Sequence, residues 1–425
     1  MPRPHVLVLG AGFGGLATAR ALSSTRVRVT LVDRHNYHAF LPLLYQVATA
    51  GLEPQDIAFP VRGILRRVPN AVFRMAEVTG GDLAAHTLET SEGDRLEYDF
   101  LVVAVGSETE TYGLSGVGGH VHFLHSIDDA RAFRNHTLRV LEGADWAGDA
   151  AERARRLTFV VVGGGPTGLE IAGALAELRQ HVIPRDYPGI DLEDVRIVLI
   201  EAGEALLPGF SPRLRACALE HARALGVEVI LQTAVSAVHA DRVELAGGTQ
   251  IRTRTVMWAA GVRGAGVAEK LGLGPGPARR VGVTPTLQLP GRPEVYVVGD
   301  LAVVEGQPPL PLLAPVAIQQ GRLVAKNISA TLAEAPLQSF RYRDQGQGAT
   351  VGRRRAVGRF LGLEFSGFLA WLGWLVIHLV KLMGFRNRLV VFVNWAYNYF
   401  TYDRGVRSIV GAAGTNRPTG RGDSK

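Results

Sequence analysis

The sequence predicts an α/β chain built from two Rossmann-like units, the second inserted into the first, with amphipathic helices at its C-terminal end. Three observations predict it. An apolar run leading into a glycine-rich turn occurs twice, as His5-Val-Leu-Val-Leu-Gly10-Ala-Gly12-Phe13-Gly14-Gly15 and as Phe159-Val-Val-Val-Gly163-Gly-Gly165-Pro166-Thr167-Gly168. Each copy reaches an acid at the end of a further apolar strand, Leu31-Val32-Asp33 and Val198-Leu199-Ile200-Glu201. A third short block, Glu294-Val-Tyr-Val-Val-Gly299-Asp300, reads as a buried strand whose natural partner is the first unit, so the second interrupts it.

A bare Gly-x-Gly-x-x-Gly occurs in many loops. Here a β-branched strand precedes each copy and an Ala/Leu-rich helical stretch follows, the context a dinucleotide fingerprint needs. The first glycine makes the tight turn, the second lets backbone approach a pyrophosphate, and the third lets helix pack on strand. The phosphates then meet a helix N-terminus, where unpaired N–H groups favour anions. Two such sites imply two dinucleotides, most economically one bound flavin and one exchanging nicotinamide.

The halves repeat beyond the turn. The first continues through the alternating stretch Ala71–Val78, a Gly80-Gly81 turn, Thr87–Thr90 and Arg95–Tyr98, and ends in the apolar strand Phe100–Gly106. The second continues through Val227–Leu231, Ala234–His239, a Gly247-Gly248 turn and Gln250–Thr253, and ends in Thr255–Gly261. The expected domains are 1–118 with 282–345 for the flavin and 119–281 for the nicotinamide. A C-terminal region, 346–410, is followed by a flexible tail, 411–425, whose Arg-Gly-Asp is accidental.

In that region Phe365–Val380 is apolar almost all round, Gly384-Phe-Arg-Asn-Arg388 punctuates, and Leu389–Phe400 is amphipathic. There Leu389, Val393, Ala396, Tyr397 and Phe400 share one helical face and Asn394, Asn398 and Thr401 another. Neither run has the ~18–20 uninterrupted apolar residues a membrane span needs. Trp371, Trp374, Trp395, Tyr397, Tyr399 and Tyr402, flanked by Arg386, Arg388, Arg404 and Arg407, suit the headgroup level of a bilayer. The alternative is packing on the flavin domain or a twin subunit.

With 425 residues, two or three domains are expected. Lys+Arg exceeds Asp+Glu by 46 to 39, but no basic run or basic-aromatic stripe favours nucleic acid. The N-terminus passes directly into a strand without a signal-peptide pattern, so a cytoplasmic location is expected. Cys217 stands alone, so disulfide or sulfur-carrying chemistry cannot be run within one chain. It reads as a small buried hydrophobe. No metal site is expected.

The residues resemble the type II NADH:quinone oxidoreductases, also called type II NADH dehydrogenases. The likeness rests on Val32-Asp33-Arg34, Phe40–Gly51, Val161–Glu170, Val295–Asp300, Ala314–Gln320 and Gly384–Arg388, and covers nearly the whole chain apart from its tail. It implies FAD on Gly10, Gly12, Phe13, Gly14 and Gly15, with its adenosine ribose on Asp33 beside Arg34 and Val78 near the adenine. Gly106 and Ala314 belong to the same site, Asp300 accepts from the ribityl chain, and Gln46 and Thr49 lie near the isoalloxazine. NADH would lie on Gly163, Gly165, Pro166, Thr167 and Gly168, approached by Ala260 and Gly261. Glu201 would hold its ribose diol and repel the 2′-phosphate of NADPH. Glu170, placed in the first turn after the glycine loop, is either a favourable helix-terminal acid or a group beside the nicotinamide–flavin stack.

The implied reaction is a hydride relay from NADH to FAD, then two electrons to a membrane quinone, without ion pumping. It would take place on a peripheral homodimer at the cytoplasmic face of the inner (plasma) membrane. A helix beginning near Pro315 would aim its N-terminus at the flavin's pyrimidine edge. Many members of the family read Ala-Gln where this chain has Ala314-Pro315; Gln319, four residues on, is the remaining candidate for contact with the quinone, or else a helix residue packed at a domain interface. The rival activities are a soluble NADH-dependent reductase with another acceptor and a flavin-holding redox sensor.

Overall fold

The computed structural model describes residues 3–274, 276–360, 362–401 and 406–410; Tyr402, Arg404 and the expected tail from Gly411 lie outside the described residues. The chain forms two compact units. One comprises the residues up to Ala39, Ala58–Glu108 and Val262–Gln345; the other comprises Phe40–Ile57, Thr109–Gly261 and the described residues from Gly346 onward.

The first unit is organised by a six-stranded sheet in the order Gln288–Leu289, Arg292–Val297, Phe100–Val103, His5–Leu9, Arg28–Asp33, Ala71–Met75. All neighbours are parallel except the short Gln288–Leu289 edge. Strands buried on both faces read as continuous apolar runs, and Val6, Leu7 and Val8 are fully buried. The return strand pairs in register, Val297 opposite Val103, which makes the second glycine-turn sequence an insertion. Helices Phe13–Ala21 and Ala314–Leu332 cross closely. A Cβ on Gly321 would lie 2.4 Å from the Gly14 carbonyl oxygen, so only glycine fits there.

The second unit repeats the core of that sheet. Its strands run in the order Val227–Ile230, Arg196–Ile200, Thr158–Val162, Thr255–Trp258, all parallel. Each unit also carries an antiparallel meander, Val78–Asp82, Thr87–Thr90 and Arg95–Glu97 in one, Val235–Val238, Arg242–Leu245 and Gln250–Arg252 in the other.

Several expectations are corrected. Gly80-Gly81 is not a turn but lies inside a bulged strand, because a Cβ on Gly81 would come within 2.6 Å of the Thr87 carbonyl across the pair. The compact units do not divide at 118/119 and 281/282. Val281–Val283 pairs in parallel with Ala302–Val304, which draws 262–281 into the first unit. Trp258 Nε1 donates to the Glu110 carbonyl at 2.8 Å and Glu110 N to the Gly261 carbonyl at 3.0 Å, which holds the stretch after Glu108 in the second. Residues from Gly346 are not a separate region: a Cβ on Gly173 would meet the Val351 carbonyl carbon at 2.7 Å, so helix Pro166–His181 seats directly on them.

That C-terminal stretch opens with an unforeseen antiparallel sheet, Gln347–Thr350, Ala356–Phe360 and Leu363–Ser366. Helices Gly367–Lys381 and Phe385–Thr401 follow. The second begins immediately after Gly384, which adopts φ +85°, so Phe385–Arg388 form its first turn rather than a break. Cys217 is half-buried on Pro212–Ala224, not enclosed.

Candidate active site

The two glycine turns have the same construction. Gly10 (φ +104°) and Gly163 (φ +110°) turn the chain in the left-handed region, each so close to a neighbouring strand that a Cβ would fall 2.5 Å from the Ala104 oxygen or 2.4 Å from the Ala259 oxygen. The next helices, Phe13–Ala21 and Pro166–His181, are capped by Gly12 and Gly165 with no side-chain hydrogen bond and no acid in the first turn. Their first N–H groups are thus left for an anion. The acids close the loops identically. Asp33 accepts from Ala11 N at 2.7 Å and His35 N at 2.8 Å; Glu201 accepts from Gly164 N at 2.6 Å and Gly203 N at 2.6 Å. Each carboxylate keeps lone pairs for a ribose diol.

Around the first turn, Phe13 meets His38 edge to face at 4.9 Å, and His38 Nδ1 donates to the Ala11 carbonyl at 3.0 Å. Burial lowers the His38 pKa, so the ring is neutral. Asp300 accepts from Ser107 Oγ at 3.0 Å, while its carbonyl accepts from Arg280 Nε at 2.7 Å. Gly299 N, beside it, donates to Gln320 Oε1 at 2.6 Å; Gln320 is fully buried and its Nε2 has no acceptor. An orphaned amide donor, an acid and the Gly10–Gly15 cradle, all in one unit, fit a bound dinucleotide. Val78 is buried, Arg34 exposed, Gly106 has open space where a Cβ would be, and Ala314 begins its helix. In the second unit Pro166 and Thr167 are exposed, Gly168 is buried against the Gly163 carbonyl, and the Tyr112 hydroxyl donates to Ala260 O at 2.9 Å beside Gly261.

Three sequence assignments change. Gln319 is spent on structure: its Nε2 donates to Arg343 O at 2.9 Å and its Oε1 accepts from Arg343 N at 3.0 Å. Gln320, not expected from the sequence, lies one residue on and about 100° round the helix, on the buried face that Val316, Ala317 and Val324 mark. Glu170 is not in the first turn of its helix but the fifth residue, and it lines a cavity. Trp374 and Trp395 are not headgroup residues: Trp374 is 1% exposed and Trp395 is hydrogen-bonded inward.

This cavity, about 530 Å³, lies wholly in the second unit. Its floor is a hydrogen-bonded chain. Trp395 Nε1 donates to Gln46 Oε1 (2.8 Å), Gln46 Nε2 donates to the Tyr45 hydroxyl (3.0 Å), Tyr45 meets Thr350 Oγ1 (3.1 Å), and Thr350 N approaches Glu170 Oε1 (3.4 Å). Thr49 lines it too, its hydroxyl donating to Tyr45 O at 2.9 Å. Burial pushes Glu170 up to about 8, partly opposed by the Thr350 N–H, so it is a neutral acid at pH 7. The walls are apolar and reach Phe368, Leu372, Val376, Phe392 and Phe400, which are themselves exposed. Among the described residues no cluster of His, Cys, Asp or Glu could hold a metal ion.

The profile of the family described as pyridine nucleotide-disulphide oxidoreductase matches residues 4–321. The chain is 38% identical to the type II NADH:quinone oxidoreductase Ndh of Mycobacterium tuberculosis, covering 96% of this chain and 91% of that one. It is 32% identical to the type II NADH:quinone oxidoreductase of Staphylococcus aureus, covering 86% and 92%. NDH2 of Plasmodium falciparum, solved in complex with NADH, shares the fold with a TM-score of 0.87 at 20% identity, over 96% of this chain and all of that one. Duplicated turns, a single cysteine and identity along almost the full length lead to one assignment: the chain belongs to the type II NADH:quinone oxidoreductases, within the pyridine nucleotide-disulphide oxidoreductase family.

Proposed function

We propose that this chain oxidises NADH at the second glycine turn and reduces a membrane quinone in the apolar cavity, with FAD held by the first unit and no ion pumped. FAD, when bound, supplies the two-electron carrier between the two substrates. Gly10–Gly15 and the open helix N-terminus hold its pyrophosphate, Asp33 a ribose, and Asp300 and Gln320 the hydroxyl- and acceptor-rich middle. Gly163–Gly168 hold NADH the same way, and the Glu201 carboxylate favours the 2′-hydroxyl over a 2′-phosphate. Ala260 and Gly261 let the backbone approach.

The observation that carries the quinone reading is the cavity: a neutral carboxylic acid, Glu170, at the floor of a space with apolar walls that reach exposed apolar residues. A quinone needs an apolar slot, polar groups for its oxygens, and protons as it is reduced. Glu170 serves as proton donor, and Gln46, its orientation fixed by Trp395 and Tyr45, as hydrogen-bond partner. Thr49 supports Tyr45.

The outer faces of the two C-terminal helices rest on the membrane. Leu369, Val376 and Val380 on one, and Phe385, Leu389, Val393, Tyr397 and Phe400 on the other, are exposed, with Lys381, Arg386 and Arg388 beside them. Asn387 and Asn394 turn inward to Gln55 O and Asp56. Among the described residues no helix is long and apolar enough to cross a membrane, consistent with a peripheral seat. We place that seat at the cytoplasmic face and the working form as a homodimer.

Purified FAD-loaded protein tests the reading. NADH should bleach the flavin anaerobically, and a quinone should restore its colour. A bleached flavin that only soluble dyes reoxidise would count against a quinone acceptor.

A further inference from the structure

We propose that the stripe Glu170–Glu177–His181 on helix Pro166–His181 is the proton entry to the quinone, with His181 at its mouth. This rests on the cavity being the quinone site. The stoichiometry requires such an entry. NADH oxidation delivers two electrons with one proton, whereas a quinone becomes a quinol by taking two electrons and two protons: NADH + H⁺ + quinone gives NAD⁺ + quinol. One proton per turnover comes from solvent into a cavity whose walls are largely apolar.

The cavity lining narrows the choice of path. Its titratable groups are Tyr45 on Leu44–Ala48, Glu170, Glu177 and His181 on Pro166–His181, Arg353 after the strand Gln347–Thr350, and Tyr399 on Phe385–Thr401. Burial, with Glu170 nearby, pushes the Tyr45 hydroxyl far up, so it does not release its proton near neutrality. An arginine stays protonated. The Tyr399 hydroxyl accepts from Arg354 Nε at 3.0 Å, beneath two guanidinium groups. Glu177 and His181 remain as the other acid–base side chains that line the cavity.

Helical geometry aligns them. Residues 170, 177 and 181 are offset by 7 and 11 positions, which at 100° per residue keeps all three within about 40° of one line. The steps along the axis are about 10 Å and 6 Å. Ala174, the residue between the two acids on this line, also borders the cavity and leaves room for bridging water in a volume of about 530 Å³. Glu177 Oε1 accepts from Arg353 N, which fixes that carboxylate midway. His181 is the last residue of the helix and half-exposed, so the line begins where solvent can reach it.

The test uses full-length FAD-loaded enzyme reduced with one equivalent of NADH, then mixed with menadione. Flavin recovery and proton uptake, followed with a pH-indicator dye, are read together from pH 6 to pH 9. His181→Ala and Glu177→Gln should slow both signals together, by about fivefold or more at the alkaline end. Added imidazole should restore His181→Ala toward the wild-type rate, which a structural defect would not allow. Glu170→Gln serves as reference. If it slows recovery while both other variants keep the wild-type rate and pH profile, the entry lies elsewhere and the proposal is overturned with the cavity reading intact. Slowing of His181→Ala that imidazole leaves unchanged, with a lowered Tm, also overturns it. If Glu170→Gln recovers as fast as wild type, the cavity reading fails and the proposal with it.

Discussion

Replacing Glu201 by Gln should shift the enzyme from NADH toward NADPH, and the structure sets the size of the effect. The carboxylate caps two backbone donors, Gly164 N and Gly203 N, both at 2.6 Å, so its charge is held at the end of its strand beside the second glycine turn. A 2′-phosphate brought within roughly 6 Å would feel about 3 kcal/mol of repulsion per unit charge at an effective dielectric of 20. Halving this for solvent and counterions leaves about 1.4 kcal/mol, a tenfold factor. The kcat/KM ratio for NADPH over NADH should therefore rise at least about tenfold in Glu201→Gln. There is a structural cost: a Gln amide offers one oxygen where the acid offers two, so one backbone N–H loses its acceptor, destabilising by about 1–3 kcal/mol. Steady-state kinetics with both nucleotides at low and high salt, alongside Tm and FAD content, measure both effects. A folded, FAD-replete variant with an unchanged ratio, or a wild type indifferent to the two nucleotides, would refute the reasoning.

The remaining predictions follow from single contacts. Quinone-driven flavin recovery should be flat up to about pH 8, where Glu170 loses its proton, and fall tenfold per unit above it; Glu170→Gln should be slow and lack that break. The same shift sets stability: unfolded, Glu170 titrates at its ordinary 4.5, so the folded state, which keeps the proton to about 8, loses stability as pH rises between those values. Glu170→Gln should remove that part of the decline in Tm. His38→Ala frees the Ala11 carbonyl and the support under Phe13, and should weaken FAD retention on gel filtration with little change in Tm of the FAD-saturated form. Phe385→Asp with Phe400→Asp should abolish flotation with anionic liposomes while leaving dye reduction by NADH intact. Gln319→Phe should lower Tm through the lost Arg343 contacts and slow both half-reactions alike.

Features with a local cause were legible in the sequence. The glycine turns, their acids and the duplicated strand order follow from close approaches that no other residue permits, and the structure shows both in the same construction. Gln320 was not legible, because two adjacent glutamines differ only in helical phase, and burial decides between them. His38 gave no signal, since nothing in the sequence sets it apart from His35 three residues before it; its bond to Ala11 is set by folding over 27 residues. The sheet Gln347–Ser366 was missed because its strands are short and glycine-broken, and three arginines, Arg353, Arg354 and Arg355, sit in its first connection. Trp374 and Trp395 were misread because aromatic residues near arginines suit a bilayer and a cavity equally. Composition cannot tell an inward helical face from an outward one when both are apolar.

Three acids show how environment sets the task of a carboxyl group. Asp33 and Glu201 end strands at the mouths of glycine turns, and each oxygen finds a backbone N–H; a carboxylate so held can receive ribose hydroxyls and stand as fixed negative charge. Glu170 belongs to the same second unit as Glu201 but points into an apolar cavity, with a single long contact from Thr350 N. There the neutral form prevails, and the group can give up a proton rather than accept a ligand's. Exchanging the environments would exchange the tasks. A donor added beside Glu170, for example by Ala174→Ser, should lower its pKa, and the alkaline break in flavin recovery would move toward neutrality. If that break stayed at about pH 8 in a variant with normal Tm, Glu170 would not be the group that sets it.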